Sequence, residues 1–166
     1  MRVISITTPE EFAEALAVRF EVFVGEQGVS PDAERDSIDI DVRTLHVIAC
    51  GDDGEVLGTG RLVAPHSDAA HGAAVGFGNM DPSRPHIGRL AVRSSARRTG
   101  AGKAIMIELE RLALAQFGEG RRVRVELSAQ DHALPFYKKI GYTTFGDGYL
   151  DEGIPHHDAF KIVVPR

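Results

Sequence analysis

A second cysteine is missing from this chain of 166 residues, so Cys50 has no partner for a disulfide within it. A reduced compartment is expected, and Cys50, inside the apolar run HVIAC, reads as a core residue. No apolar run approaches the roughly 18 residues of a membrane span. The N-terminal MRVISITT also lacks a basic region followed by an apolar core. These absences predict a cytoplasmic protein. An excess of positive charge is missing too: the net charge of −5 argues against non-specific binding to nucleic acid or a membrane surface. Without repeats, linkers or low-complexity tracts, residues 1–166 read as one compact domain, long enough to bury roughly two thirds of its unfolded surface.

The most telling lack is local. The chain holds 24 acidic residues, yet none falls between Pro82 and Ile107. That window contains RPHIGRLAVRSSARRTGAGK, residues 84–103, with the basic residues Arg84, Arg89, Arg93, Arg97, Arg98 and Lys103. HIGRLAV is rich in β-formers, and Ala101 to Phe117 carries apolar residues at helical spacing, so Arg97 to Gly102 falls on the turn between strand and helix. Amides at a helix start lack partners, Gly100 and Gly102 carry no side chain to shield them, and the helix dipole favours an anion there. The turn reads as a pyrophosphate cradle. A nucleoside-triphosphate P-loop is excluded because Arg97 and Ala104 stand where glycine and serine or threonine are needed. A dinucleotide fingerprint is excluded because Ile105 stands at the third glycine position. What remains is R-x-x-G-x-G, Arg97-Arg98-Thr99-Gly100-Ala101-Gly102. Taken alone, it is equally an ordinary Gly-rich helix start.

The rest of the chain predicts a layered fold. Val3 to Ile6 reads as a strand, and Thr8-Pro9-Glu10-Glu11 as a capping box with proline at the first helical position. An apolar stripe through Phe12, Leu16, Phe20 and Phe23 carries that helix to about Gly25. Residues 32–41 hold five acids and read as an irregular acidic loop or short helix. Thr44 to Gly51 and Glu55 to Ala64 form a hairpin around Asp52-Asp53-Gly54, and Pro65 to Pro85 reads as a long loop. After the long helix, Arg122 to Ser128 alternates as a strand. Ala133, Phe136, Tyr137 and Ile140 share one face of a short helix ended by Gly141, and Tyr142 to Phe145 and Ala159 to Val164 supply two last strands. Hairpins first and helical crossovers later imply a mixed sheet covered by helices in one α/β domain.

The turn and the element order resemble the GNAT N-acetyltransferase superfamily. RFEVFVGEQGV, SAQDHALPFYKKIGY and GYLDEGIPHHDAF are similar to its ElaA-like branch, which carries R-x-x-V-F-x-x-E-Q early, A-Q-x-x-A-x-x-F-Y in the middle and E-x-G-I-P-H late. The resemblance covers nearly the whole chain. It implies a mostly antiparallel mixed sheet with splayed central strands, flanked by helices, and acetyl-CoA as cosubstrate. Residues 97–103, with Lys103 at the end of the turn, would bind the pyrophosphate. Leu90, Ala91 and Val92 would offer backbone groups to the pantetheine arm, with an amide of Leu90 or Val92 facing the oxyanion and Gly88 supplying an irregularity at the splay. Gln130, where most of the superfamily has asparagine, Ala133 and Phe136 complete the cofactor set.

Acyl transfer from a thioester to an amine asks mainly for proximity and oxyanion stabilisation, so covalent catalysis is unnecessary. By the resemblance, Tyr137 protonates the leaving thiolate; a core tyrosine on the same helix face would look alike. Candidates for the general base are Glu26, His46 and His156, each of which also has a purely structural reading. Three adjacent residues, His156-His157-Asp158, cannot converge on one ion, so no metal is expected. The acids of residues 32–41, placed by the GNAT fold beside the acceptor entrance, suggest a cationic primary amine. A non-catalytic acyl-CoA-binding module and an enzyme like the acyl-homoserine-lactone synthases, which share the R-x-x-V-F start, stay open. The sequence leaves the acceptor, the acyl length and the oligomeric state undetermined.

Overall fold

A computed structural model describes residues 1–66 and 78–166. The elements in chain order are β1 (Arg2–Ser5), α1 (Pro9–Arg19) continued by a π-helical segment (Phe20–Glu26), α2 (Pro31–Glu34), a 3-10 turn (Ser37–Ile40), β2 (Leu45–Cys50), β3 (Val56–Val63) and β4 (His86–Val92). There follow a 3-10 turn (Ser94–Ala96), α3 (Ala101–Phe117), β5 (Val123–Gln130), a 3-10 turn (Asp131–Ala133), α4 (Leu134–Lys139), β6 (Thr143–Asp151) and β7 (Ile154–Val163). The strands form one seven-stranded sheet in the order β1-β2-β3-β4-β5-β7-β6, antiparallel except for β4 beside β5. This is the mixed, mostly antiparallel α/β architecture expected of the chain. No helix among the described residues is long and apolar enough to cross a membrane.

Local chemistry accounts for most of the boundaries. Thr8 caps α1, its side chain accepting from the Glu11 amide at 3.2 Å while Glu11 reaches back to the Thr8 amide at 3.2 Å. The helix then widens into π turns, where the Gln27 amide donates to the Val22 carbonyl at 3.2 Å. α3 follows Gly100, whose φ of 94° is the left-handed conformation that favours glycine. One face of the sheet packs on α3 through Ile105, Met106, Leu109 and Ala113, and the other on α1 and its π-helical continuation through Ala15, Val18 and Val22, with Cys50 buried in that second layer. Gly60 of β3 lets α3 lie close, since a Cβ there would come within 2.8 Å of a Leu109 methyl.

Three differences from the sequence reading matter for the site. The last hairpin is longer than expected: β6 runs past Phe145 to Asp151, and β7 begins at Ile154 rather than near Ala159. The register slips between Phe145 and Tyr149, where Gly146, at φ 70°, allows the strand to bulge and continue. Of the expected loop from Pro65 to Pro85, residues 67–77 lie outside the described residues, and residues 78–85 carry no helix or strand. The acids of residues 32–41 do not form one solvated field: Glu34 and Asp39 are buried, Asp36 and Asp41 are half-buried, and Asp32 is exposed.

Candidate active site

β4 and β5 are paired at one place only, His86 opposite Glu126, where the Glu126 amide donates to the Pro85 carbonyl at 3.1 Å. Beyond that point no ladder joins them. Their C-terminal halves border a cavity of about 1230 Å³ that runs from the turn at residues 97–103 to the tip of the β6–β7 hairpin. On its other side β4 stays paired with β3, but irregularly. Thr59 faces Ala91 and Arg61 faces Gly88, so β4 holds one extra residue, and Arg89 within that bulge has φ 50°. The irregularity anticipated at Gly88 is therefore at its neighbour. The Arg93 amide donates to the Leu57 carbonyl at 2.9 Å, and Ala91 pairs with Thr59. Since amides alternate along a strand, those of Leu90 and Val92 face the unpaired side of β4.

The turn exposes backbone donors and basic side chains together. Between the Arg97 amide, which donates to Ser94 O at 3.3 Å, and the Ala104 amide, which donates to Gly100 O at 2.9 Å, the amides of residues 98–103 have no partner among the described residues. Gly100 and Arg98, at φ 94° and 67°, turn the chain so that these donors lie on successive residues of one exposed loop. The basic residues divide into two groups. Arg97 is tied down, with Nη2 on Glu26 at 2.6 Å and Nε on Val92 O at 3.2 Å, and Arg93 pairs with Glu21 at 3.0 Å. Arg98 and Lys103 have no ion pair among the described residues and are exposed at the cavity.

The residues singled out from sequence for the cofactor and for catalysis lie on the same cavity with three exceptions, Thr99, Ala101 and the candidate base His46. Thr99 instead donates to Ala96 O at 2.7 Å, and Ala101 is buried beneath the turn. Gln130 forms a reciprocal amide pair with Gln27, at 3.0 and 2.7 Å, which fastens the end of β5 to the π-helical segment. Phe136 packs beside Gly102, and Tyr137 is buried with its ring edge-on to Phe136 and to Tyr142 at 5.1 and 5.9 Å. Burial pushes the Tyr137 phenol well above its ordinary pKa, so it stays protonated throughout the physiological range.

The three candidate bases separate. The Glu26 carboxylate is occupied by Arg97. His46 does not line the cavity; its Nε2 lies 3.1 Å from the Asp39 carbonyl, and burial holds its pKa down. His156 is buried at the cavity wall with Nδ1 2.7 Å from the Ile154 carbonyl. A carbonyl only accepts, so Nδ1 carries the proton and Nε2 of the neutral ring keeps its lone pair. The ring lies parallel to that of Tyr149 at 5.9 Å.

The structure adds polar groups that the sequence reading missed. The Ser128 hydroxyl, on the cavity, meets the Tyr149 hydroxyl, which donates to Asp158 Oδ1 at 2.5 Å. Asp158 is fully buried and also accepts from the Asn79 amide. The signal was present in GYLDEG and HHDAF, but only the bulged course of β6 brings the two together. The acids after α1 are bound by arginines of α1 and β3. Arg19 Nε pairs with Glu34, its Nη1 and Nη2 bond to Asp39 at 2.7 and 3.0 Å, and Arg61 bonds to Asp36 at 2.7 and 2.8 Å and to Asp39 at 2.8 Å. Burial opposes ionisation of Asp39, but these arginines outweigh it and hold the carboxyl far below the ordinary carboxylate range. Acids at the cavity without an ion pair among the described residues are Asp32 and the hairpin-tip pair Asp151 and Glu152. No cluster of three or more His, Cys, Asp or Glu side chains suited to a metal occurs among the described residues.

Residues 8–161 match the family described as "Acetyltransferase (GNAT) domain". The chain is 32% identical over 163 residues to the "Uncharacterized N-acetyltransferase YjcF" of Bacillus subtilis (strain 168), covering 97% of this chain and 99% of that protein. Among solved structures it is similar to an acyl-CoA N-acyltransferase from Pseudomonas aeruginosa (28% identity, TM-score 0.76, 97% of this chain and 99% of that one). It shares the fold of Escherichia coli ElaA (21% identity, TM-score 0.76, 96% and 98% covered).

Proposed function

Because the chain belongs to the GNAT family of acetyltransferases, whose members are acyl-CoA-dependent N-acyltransferases, we propose that it moves an acetyl group from acetyl-CoA to a primary amine by direct attack on the thioester. The observation that carries this reading is the divergence of β4 from β5 above the one pair His86–Glu126, with a row of unpartnered amides at one end of the resulting cavity and an imidazole at the other. The amides of residues 98–103, with Arg98 and Lys103, hold the pyrophosphate by hydrogen bonds, helix dipole and charge. Arg97, fixed by Glu26 and by Val92 O, positions the turn against the end of β4. The pantetheine arm follows residues 90–92, where the outward amides of Leu90 and Val92 meet the carbonyl and then the oxyanion.

Acceptor amines arrive as ammonium ions, and the unpaired acids Asp32, Asp151 and Glu152 support a positive nitrogen at the mouth. His156 Nε2 takes the proton, directly or through water, before attack. As the tetrahedral intermediate collapses, sulfur gains charge. Tyr137 places the only phenol of α4 at the cavity and supplies a hydrogen bond and then a proton to the leaving thiolate. Holding both reactants in one cavity supplies the proximity term, so no acyl-enzyme is needed. The test is release of CoA thiol from acetyl-CoA across a panel of primary amines, with mass spectrometry of the product. Turnover that depends on an amine and yields its N-acetyl derivative supports the reading, whereas tight acetyl-CoA binding with no amine-dependent release across the panel contradicts it.

A further inference from the structure

Three arginines lead from the core to the cavity and share three carboxylates. Arg19 is 1% exposed and Arg61 4%, whereas the Arg89 side chain, on the cavity wall, is 28% exposed. The two inner guanidiniums take the short charge-assisted bonds to Glu34, Asp36 and Asp39. Arg89 is left with longer ones. Its Nε lies 3.2 Å from the Glu34 carbonyl and 3.4 Å from Glu34 Oε2, and its Nη2 3.3 Å from the Ala33 carbonyl and 3.2 Å from Asp36 Oδ2. That Asp36 oxygen already accepts from Arg61 at 2.8 Å. Arg89 Nη1, with two N–H donors, has no partner among the described residues.

The charge balance agrees with the geometry. Burial lowers the Arg89 pKa first, and repulsion from Arg61 comes next, ahead of the attraction of Glu34 or Asp36. The guanidinium is therefore less well compensated than that of Arg19, where burial is outweighed by the carboxylates and the pKa is raised, and an added anion would relieve it. Its place is unusual as well. Arg89 occupies the left-handed bulge of β4, at φ 50°, directly before Leu90 and on the side covered by α2 and the loop after it. A non-glycine residue in that region costs about 1 kcal/mol or more, and such strain persists where the surrounding structure enforces it.

We propose that Arg89 is a specificity-determining residue that pairs with a carboxylate on the acceptor, so that the amine acylated in this cavity is one that carries a carboxyl group, of the amino-acid class. The two free N–H groups of Nη1 suit a carboxylate oxygen, whereas Arg98 and Lys103, also at the cavity without an ion pair among the described residues, stand at the turn of residues 97–103 instead. Asp32, Asp151 and Glu152 at the mouth suit the ammonium of the same zwitterion. The proposal rests on the acyltransferase reading, and its test separates the two.

The probes are matched pairs that differ by the carboxyl group alone: lysine and cadaverine, histidine and histamine, tyrosine and tyramine, assayed by CoA-thiol release. The wild-type protein is expected to favour the carboxylate member by about tenfold or more in kcat/KM, mainly through KM, the scale of one charge-assisted hydrogen-bonded contact. Arg89→Gln is expected to bring the ratio to about one, and Arg89→Lys to keep part of the preference. A wild-type preference for the decarboxylated members, or a preference that survives Arg89→Gln, overturns the proposal. If Arg89→Gln does not fold, the wild-type ratio and Arg89→Lys decide. Thermal shifts of the CoA-saturated wild-type protein with N-acetylated lysine and cadaverine read the same contact without turnover. Larger stabilisation by the carboxylate member upholds the contact even where the thiol assay fails, and equal shifts overturn it.

Discussion

Replacing Gly102 by aspartate should separate binding of acetyl-CoA from stability of the fold. A Cβ at this position would meet Phe136 Cζ at 3.5 Å and Val92 Cγ2 at 3.6 Å, ordinary contact distances, and Gly102 is not among the positive-φ glycines. The side chain therefore enters without backbone strain. Its carboxylate would stand in the first turn of α3, where the helix dipole favours a negative charge by about 0.3–1 kcal/mol, so the folded state should lose nothing. The same charge would stand beside the pyrophosphate. Two unit charges about 4 Å apart repel by about 1 kcal/mol in water and about 4 kcal/mol at an effective dielectric of 20. At an exposed turn the value should fall in the lower part of that range, about 1.4 kcal/mol or more, which is tenfold in Kd. Gly102→Ala controls for bulk. Calorimetric titration with acetyl-CoA, paired with thermal unfolding, should show at least tenfold weaker binding for the aspartate variant, an unchanged or raised Tm, and a smaller difference at high salt. Unchanged affinity in the folded aspartate variant would refute the pyrophosphate assignment.

Tyr137→Phe keeps the edge-on packing with Phe136 and Tyr142 and should lower kcat roughly 10²-fold with little change in acetyl-CoA affinity; full turnover in steady-state kinetics would leave the tyrosine a core residue. Changing Asp36 and Asp39 together to asparagine should act on stability, because in a buried site Arg61 loses both of its carboxylate partners and Arg19 keeps only Glu34. A loss of about 3–5 kcal/mol in denaturant unfolding is expected, and a fully stable double variant would contradict the ion-pair account. Acid should destabilise the fold in two stages. His86 is buried and its pKa is lowered by that burial to about 4, so the unfolded chain binds a proton that the folded one refuses as pH falls from about 6.5 towards 4. Asp39 has a depressed folded pKa, and its contribution, complete above the ordinary carboxylate range, is lost as pH falls through and below that range. Tm should fall steadily from neutral pH to pH of about 4, and His86→Gln should flatten the upper part of the slope; a Tm that does not respond to His86→Gln between those values would contradict the assignment.

What was legible in the sequence is what depends on near neighbours. The turn at residues 97–103 could be read because glycines, a helix start and a basic, acid-free window act over a few residues, and α3 begins at Ala101 and ends at Phe117 as its periodicity implies. The fate of the acids after α1 could not be read this way. Glu34, Asp36 and Asp39 look the same in sequence whether water or arginine solvates them, and Arg19, Arg61 and Arg89 come from α1, β3 and β4. The Ser128–Tyr149–Asp158 chain was hidden for a similar reason. Gly146 and Gly148 resemble the end of a strand, but here they make a bulge that carries β6 onward to Tyr149. Even Glu26, a plausible base as a carboxylate near the cavity, has its partner 71 positions away in Arg97.

Initial rates measured over a grid of acetyl-CoA and amine concentrations test direct transfer within one cavity most plainly. The double-reciprocal lines should intersect, as they do when both substrates must be bound before either product leaves, and the intact protein mixed with acetyl-CoA alone should keep its unmodified mass. Parallel lines, or an acetylated protein that passes its acetyl group to the amine, would contradict the account.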